Sequence, residues 1–235
     1  MKIIKEKSDH GVLRLIMNNL DQGNALSEGM MSILMDEIKG ASSDQSIKVI
    51  VLAANGNVFC SGHDLKEITT ARENEDSGEA YFKNLFDSCS SLMQLIVNIP
   101  QPVIAEVDGV ATAAGCQLVA SCDLAIASHE SKFATPGVNI GLFCSTPMVA
   151  LTRNVNKKNA MEMLLTGDFI NAEKAKEIGL INNTVEQEEL TFEVSKLAEK
   201  IASKSSMTVS TGKKAFYAQA EMDLSKAYKL SLIHI

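Results

Sequence analysis

The 235-residue chain contains no tryptophan, and aromatic residues make up only 5% of it. Proteins that hold single-stranded nucleic acid by stacking its bases need aromatic faces, and few are on offer here. A surplus of base is also missing: 22 Lys and Arg stand against 29 Asp and Glu, for a formal charge of −7. Gripping a phosphate backbone requires a basic stripe, so no nucleic-acid partner is expected. A local phosphate pocket is untouched by this argument, because net charge says little about one site. The four histidines lie far apart, and no two of the five cysteines (Cys60, Cys89, Cys116, Cys122, Cys144) form a C-x-x-C pair. No metal site is therefore expected. An odd number of thiols in apolar surroundings points to a reducing compartment.

Long apolar runs are lacking too. The longest, 48–54 and 102–107, fall far short of the ~20 residues that cross a bilayer, so no membrane span is expected. The start, MKIIKEKSDHG, is charged and has neither an apolar signal core nor the Arg- and Ser-rich pattern of an organelle presequence. The expected location is the cytoplasm if the source is bacterial, or the mitochondrial matrix if a eukaryotic presequence has been removed. What is present is the composition of a folded domain, 46% hydrophobic and 22% charged. That is enough to build a core without disulfides or metal.

Strand-like and helix-like stretches alternate. Val12–Met17 reads as a strand, and Ser27 as the N-cap of a helix whose apolar face is Met30, Met31, Leu34, Met35 and Ile38. That methionine-rich stripe is read as core. KVIVLA at 48–53 is apolar without alternation, as in a strand covered on both faces. Thr69–Gly78 reads as a polar, mobile surface loop, 81–97 as a helix stopped by Pro100 and Pro102, and Val103–Val107 as another buried strand. Helices are predicted at Ala114–Ser121, Asn159–Leu165, Ala172–Ile178 and Phe192–Ser203, with one more beginning at Gly212; Leu124–Ala127 reads as a strand. The alternation implies an α/β fold with right-handed crossovers. The helical last third suits a cap or an assembly arm.

Two segments place small residues after a strand and before a helix: VFCSGHDLKE at 58–67 and DGVATAAGCQ at 108–117. Gly62 and Gly115 leave the nearby backbone open to close approach. The N–H groups at a helix start are unpaired and suit an oxyanion. Two of them converging on one oxygen would make an oxyanion hole. The same residues also suit ordinary tight turns that pack a helix against a strand, and residue types alone leave both readings open.

With FCSGHDLKE, PQPVIAEVDGVATAAGCQLVASCDLAIAS, FATPGVNIGL and LLTGDFINAEKAKEIGLIN in that order, the chain resembles the crotonase family, the enoyl-CoA hydratase/isomerase superfamily, from about Gly11 to about Tyr228. GHDLKE, ATAAGCQLVASCD and ATPGVNIGLFCSTP are similar to one particular branch of it. The resemblance implies a ClpP/crotonase-like spiral of ββα units with two stacked sheets, a core over residues 1–190 and a C-terminal helical region over 191–235. It implies self-association into trimers that pair into hexamers. The ligand would be an acyl-CoA thioester, with coenzyme A part of the substrate and no separate cofactor. Its carbonyl would sit between the backbone N–H of His63 and that of Ala114. Ser61, Gly62, Asp64, Leu65, Lys66 and Gly115 would border the coenzyme.

The resemblance also marks a departure. At the two positions where hydratases of this family carry catalytic glutamates, this sequence has Gln117 and Gly137. Glutamine does not ionise, and glycine has no side chain. Each positioned acid or base is worth ~10²–10⁴ in rate, so ordinary water addition should be slow while thioester binding survives. His63 has a side chain of suitable pKa, although its backbone role does not aim the ring into the site. Asn139, Cys144 and Ser145 lie in the loop after Pro136, and Cys144 reads as an inert thiol, having no base near it in sequence. Asp64 and Glu67 read as solvent-facing charges at a helix start, and His129-Glu130 lacks the second histidine of a zinc helix. Asp123 reads as fixing a helix–strand turn. Lys213 and Lys214 would lie near coenzyme A phosphates by resemblance, or on a solvated helix face by residue type. The closing LSLIHI departs from the family pattern, which continues in a charged helix. That end reads as incomplete, placing subunit packing in doubt.

Overall fold

The computed structural model describes residues 2–232; Ile233–Ile235, half of the closing LSLIHI, lie outside them. The first strands, β1 (Ile3–Lys7) and β2 (Val12–Met17), form an antiparallel hairpin. Helix α1 (Glu28–Ser43) follows. Its cap is Ser27, whose Oγ accepts from the Met30 N–H at 3.2 Å. Met30, Met31, Leu34 and Ile38 are fully buried, as their shared helix face requires.

Three strand pairs then repeat one theme: β3 (Val49–Ala54) with β4 (Val58–Cys60), β5 (Val103–Val107) with β6 (Val110–Thr112), and β7 (Leu124–Ser128) with β8 (Lys132–Ala134). Helices α2 (Leu65–Ala71) and α3 (Glu79–Asn98) follow β4, and α4 (Ala114–Ser121) follows β6. The rest of the chain adds α5 (Ser145–Asn154), α6 (Lys157–Thr166), β9 (Ile170–Asn171), α7 (Ala172–Glu177), β10 (Asn183–Val185), α8 (Leu190–Ala202), α9 (Ser206–Ala220) and α10 (Leu224–Ser231). In each pair the first strand joins a six-stranded sheet ordered β1-β2-β3-β5-β7-β10, and the second joins a four-stranded sheet ordered β4-β6-β8-β9. The expected spiral of ββα turns is the observed architecture. Within the larger sheet every neighbour pair beyond the hairpin is parallel. Parallel strands are covered on both faces, so five of the six residues of β3 are buried. The main core lies on one side of this sheet. On the other side Leu190, Val194, Ala198 and Ala202 of α8 close a second cluster over Val49, Val51 and Ile104.

Two expectations need correction. The stretch read as a loop, Thr69–Gly78, begins inside a helix: Thr69–Ala71 complete α2, and the turns beyond are fixed by the Asp76 carboxylate, which accepts from Gly78 and Ala80 N–H. The last predicted helix starts at Ser206 rather than Gly212, capped by Ser205, and breaks before α10. It has no buried residue, so no apolar period marked its start. The two- and three-residue strands of the smaller sheet, β10 and the polar β1 left no readable pattern of their own. Among the described residues no helix is long and apolar enough to cross a membrane.

Candidate active site

Strands β4 and β6 lie side by side and parallel, with a register shift between Val58 and Cys60. Each ends in a turn that opens a helix, so the two turns arrive together. Thr112 Oγ1 donates to the Ser61 carbonyl at 3.0 Å and ties one to the other. A Cβ on Gly115 would stand 2.1 Å from the Cys60 carbonyl oxygen, so only glycine lets the start of α4 come this close. Gly62 has φ +97°, and a Cβ there would lie 3.4 Å from the Ala114 nitrogen. Glycine therefore satisfies the left-handed backbone and keeps the space in front of the Ala114 N–H clear.

Ala113, directly before that amide, holds φ 50° and ψ −118°, an unusual conformation for a residue with a Cβ. Its own N–H is anchored to the Ala134 carbonyl at 3.0 Å. The result is an Ala114 N–H, and a His63 N–H on the facing turn, that donate to no acceptor among the described residues. Behind them the segment 19–26 is a brace. Buried Asn24 donates from Nδ2 to the Asn55 and Val58 carbonyls and accepts from the Asn19 N–H. Leu26 N–H donates to the Gly62 carbonyl at 2.7 Å, and the Leu26 carbonyl lies 3.3 Å from His63 Nδ1. Asn24 and Leu26 lie outside the two segments singled out from the sequence, although Asn24 stands out as a polar residue between two buried runs. Ala113 lies inside the second segment, where residue type gives no sign of its strained backbone.

The family model described as Enoyl-CoA hydratase/isomerase matches residues 7–232, nearly the whole chain. The chain belongs to the enoyl-CoA hydratase/isomerase family. It is 49% identical over 225 residues to the mitochondrial enoyl-CoA hydratase domain-containing protein 3 of Xenopus laevis, covering 96% of this chain and 75% of that protein. The crystal structure of human enoyl coenzyme A hydratase domain-containing protein 3 superposes with a TM-score of 0.93 at 47% identity, covering 98% of this chain and 89% of that one. A Mycobacterium smegmatis enoyl-CoA hydratase gives a TM-score of 0.93 at 44% identity, with 98% and 88% covered. The particular branch suggested by the GHDLKE and ATAAGCQ wording is that of the domain-containing protein 3 relatives.

Within this enoyl-CoA hydratase/isomerase fold, the remaining candidate residues divide clearly. Gln117, one turn into α4, is buried, and its Oε1 accepts from the Cys89 thiol of α3 at 3.8 Å. Gly137 sits in the short turn after β8, and a Cβ on it would stand 2.4 Å from the Leu142 carbonyl oxygen and 2.8 Å from Cys144 Sγ. That position has no room for any side chain. Leu65 and Lys66 are exposed at the start of α2. Asp64 does not face solvent: it is 7% exposed, and its carboxylate caps α2 by accepting from the Lys66 N–H at 2.8 Å. Glu67 is likewise engaged, accepting from the Glu28 N–H and from the Tyr81 hydroxyl.

All five cysteines are free and buried. Burial pushes the thiols of Cys60, Cys89 and Cys116 up to about 12, and raises Cys144 as well, so they are protonated at neutral pH. Lys213 is not on a solvated face. Its ammonium is buried, donating to the Ile96 and Gln101 carbonyls and to Asp123 Oδ2 at 2.7–2.9 Å. Asp123 fixes its turn as expected, accepting from the Val103 N–H, and it receives the Tyr217 hydroxyl too. Lys214 is exposed.

Proposed function

We propose that this chain binds an acyl-CoA thioester and polarises it, with the thioester oxygen held between the His63 and Ala114 N–H groups. The observation that carries the reading is the pair of main-chain donors on adjoining turns that have no acceptor among the described residues, the Ala114 one lying beside Gly62. Such donors stabilise the enolate oxygen that forms when a thioester loses an α proton, or when an α,β-unsaturated thioester gains a nucleophile at its β carbon. Each is typically worth ~2.7–4 kcal/mol in the transition state. Fixed amides suit this task because they need no reorganisation as charge develops. Ser61 and the exposed Leu65 and Lys66 would border the coenzyme, which is part of the substrate, and no other cofactor is invoked.

Proton transfer is where the chain departs from a hydratase. Gln117 and Gly137 occupy the positions assigned to the two glutamates, and the space against Gly137 is already filled by the Leu142 carbonyl and Cys144. This steric closure favours a second reading, a binding or regulatory module that holds acyl-CoA without turning it over. Titration with crotonyl-CoA alongside a hydration assay separates them: binding without turnover assigns the module, and turnover assigns an enzyme with a substitute proton carrier. Absence of binding at millimolar ligand removes both. Self-association to a trimer, with pairing into hexamers, is part of the same proposal, and sedimentation equilibrium tests it. The mitochondrial names of the relatives support a matrix location, which fractionation of tagged protein in its own cells would test.

A further inference from the structure

We infer that Glu67 is a positioning residue: its carboxylate clasps α2 to the start of α1 and to α3, and so aims the His63 N–H at the ligand oxygen. The inference rests on the thioester reading above and adds to it the group that sets one of the two donors.

The His63 amide stands between a pivot and a short helix. On one side is Gly62, with φ +97°, where a residue lacking a Cβ turns most freely. On the other side α2 begins, with Asp64 as its N-cap. Of the seven residues of α2 only Ala71 is buried, while Ile68 packs partly against the core. Little apolar burial therefore fixes the direction of this helix.

Facing the turn is the segment 26–28, which meets it at three successive points. Leu26 N–H donates to the Gly62 carbonyl at 2.7 Å, the Leu26 carbonyl lies 3.3 Å from His63 Nδ1, and Glu28 N–H donates to Glu67 Oε2 at 3.1 Å. The first two hold the turn, and the third alone reaches α2. Glu28 is the first residue of α1, where N–H groups have no partner within the helix and the dipole favours a carboxylate. Helix α1 is a firm reference, since Met30, Met31, Leu34 and Ile38 are fully buried. Tyr81, in the first turn of α3, donates to the same Oε2 at 3.3 Å. Burial and the nearby Glu67 carboxylate push the Tyr81 hydroxyl up to about 12, so it keeps the proton that it donates.

One oxygen thus gathers three helices. Without it α2 can swing about Gly62, and the amide four residues before Glu67 swings with it. A shift of about 1 Å takes an N–H···O contact out of hydrogen-bond range. Because both donors converge on a single oxygen, a glutamine could serve in its place, which separates the clasp from an effect of charge.

The test compares butyryl-CoA with free coenzyme A by calorimetric titration of the full chain, Glu67→Met and Glu67→Gln. Infrared difference spectra of the saturating thioester, carbon-13 labelled at its carbonyl, report polarisation of the bound oxygen directly. In the native chain the thioester should bind more tightly than free coenzyme A, and its carbonyl band should fall in frequency. Glu67→Met keeps the bulk and has no carboxyl oxygen. It should lower the ratio of the two affinities about fivefold, as for one lost hydrogen bond, and return the band part-way to its free position. Glu67→Gln should keep the native ratio and the native band. Tyr81→Phe removes one donor and should move both readouts in the same direction by less; it decides the question should Glu67→Met not fold. Three results overturn the inference: an unchanged ratio and band in the deciding variant, a loss in Glu67→Gln equal to that in Glu67→Met, or equal weakening of both ligands with the band unmoved. A native chain with no thioester preference and no band shift removes the thioester reading itself, and the clasp with it.

Discussion

The His63 ring links the candidate site to pH. Burial holds its pKa below the ordinary histidine value, more strongly than the Leu26 carbonyl and the Glu67 carboxylate raise it. In the unfolded chain it titrates near ~6.5, so between that value and its folded pKa the unfolded state binds more protons. Its contribution to stability is therefore fully present above about pH 6.5 and is lost as pH falls below it. Thermal melts at pH 7.5 and 5.5 should show a larger fall for the native chain than for His63→Gln; equal falls would mean that the ring ionises in place. The glycines carry sharper expectations. A methyl at Gly115 meets the Cys60 carbonyl at 2.1 Å, so Gly115→Ala must part the two turns. Overpacking of this kind costs about 1–3 kcal/mol, and acyl-CoA binding should fall with the melting temperature. Gly137→Glu should likewise lower the melting temperature instead of restoring hydratase chemistry, whereas Gln117→Glu adds no atoms and should fold. At this scale the sequence disclosed Gly62, Gly115, Gln117 and Gly137 because side chains present or missing are what a sequence records. It could not disclose the strain at Ala113 or the clasp on Glu67, which arise only when distant segments meet.

Among the elements, α9 is held in an unusual way. It has no buried residue, yet Lys213 and Asp123 form an ion pair whose side chains are only 6% and 15% exposed. Polar anchoring thus takes the place of an apolar face. All three hydrogens of the ammonium are used, and Tyr217, four residues on, donates to the same carboxylate. Removing one partner of a buried pair leaves the other charge uncompensated, at a cost of about 3–5 kcal/mol. Lys213→Met should therefore destabilise the chain by about 3 kcal/mol and speed amide exchange in α9 ahead of the sheets. Adding Asp123→Asn should return part of that loss, since the stranded charge is then gone. If Lys213→Met were neutral, or if α9 exchanged no faster than β5, the anchor would lie elsewhere. This arrangement also explains why the helix start was misread. A helix fastened by a lysine, a tyrosine and an aspartate has no periodic apolar stripe, whereas α1 and α3 are buried along a face, β3 is buried on both, and all three showed themselves plainly. Strands of two or three residues such as β4 and β9 are too short for any period to register.

For the molecule as a whole, the question is what the folded state gains from partners. Val149 on α5, Met161 and Leu165 one turn apart on α6, and Phe169 just beyond are all at least 49% exposed. Apolar groups presented together on neighbouring elements mark surfaces that associate. Leu165→Lys should accordingly lower the apparent mass in sedimentation if this face joins subunits. The ligand makes the more decisive demand. Anything that binds the native but not the unfolded chain raises stability by RT ln(1 + [L]/Kd), about 2.7 kcal/mol at a hundredfold excess over Kd. For a chain of 235 residues that corresponds to roughly 5–10 °C in melting temperature. Acyl-CoA should produce this rise, and Gly115→Ala should abolish it even when the comparison is made relative to that variant's own lower baseline. Free coenzyme A, which lacks the thioester oxygen, should give a smaller rise at equal concentration. If free coenzyme A matched the thioester, binding would be located along the coenzyme alone, and the His63 and Ala114 amides would have no part in holding the ligand.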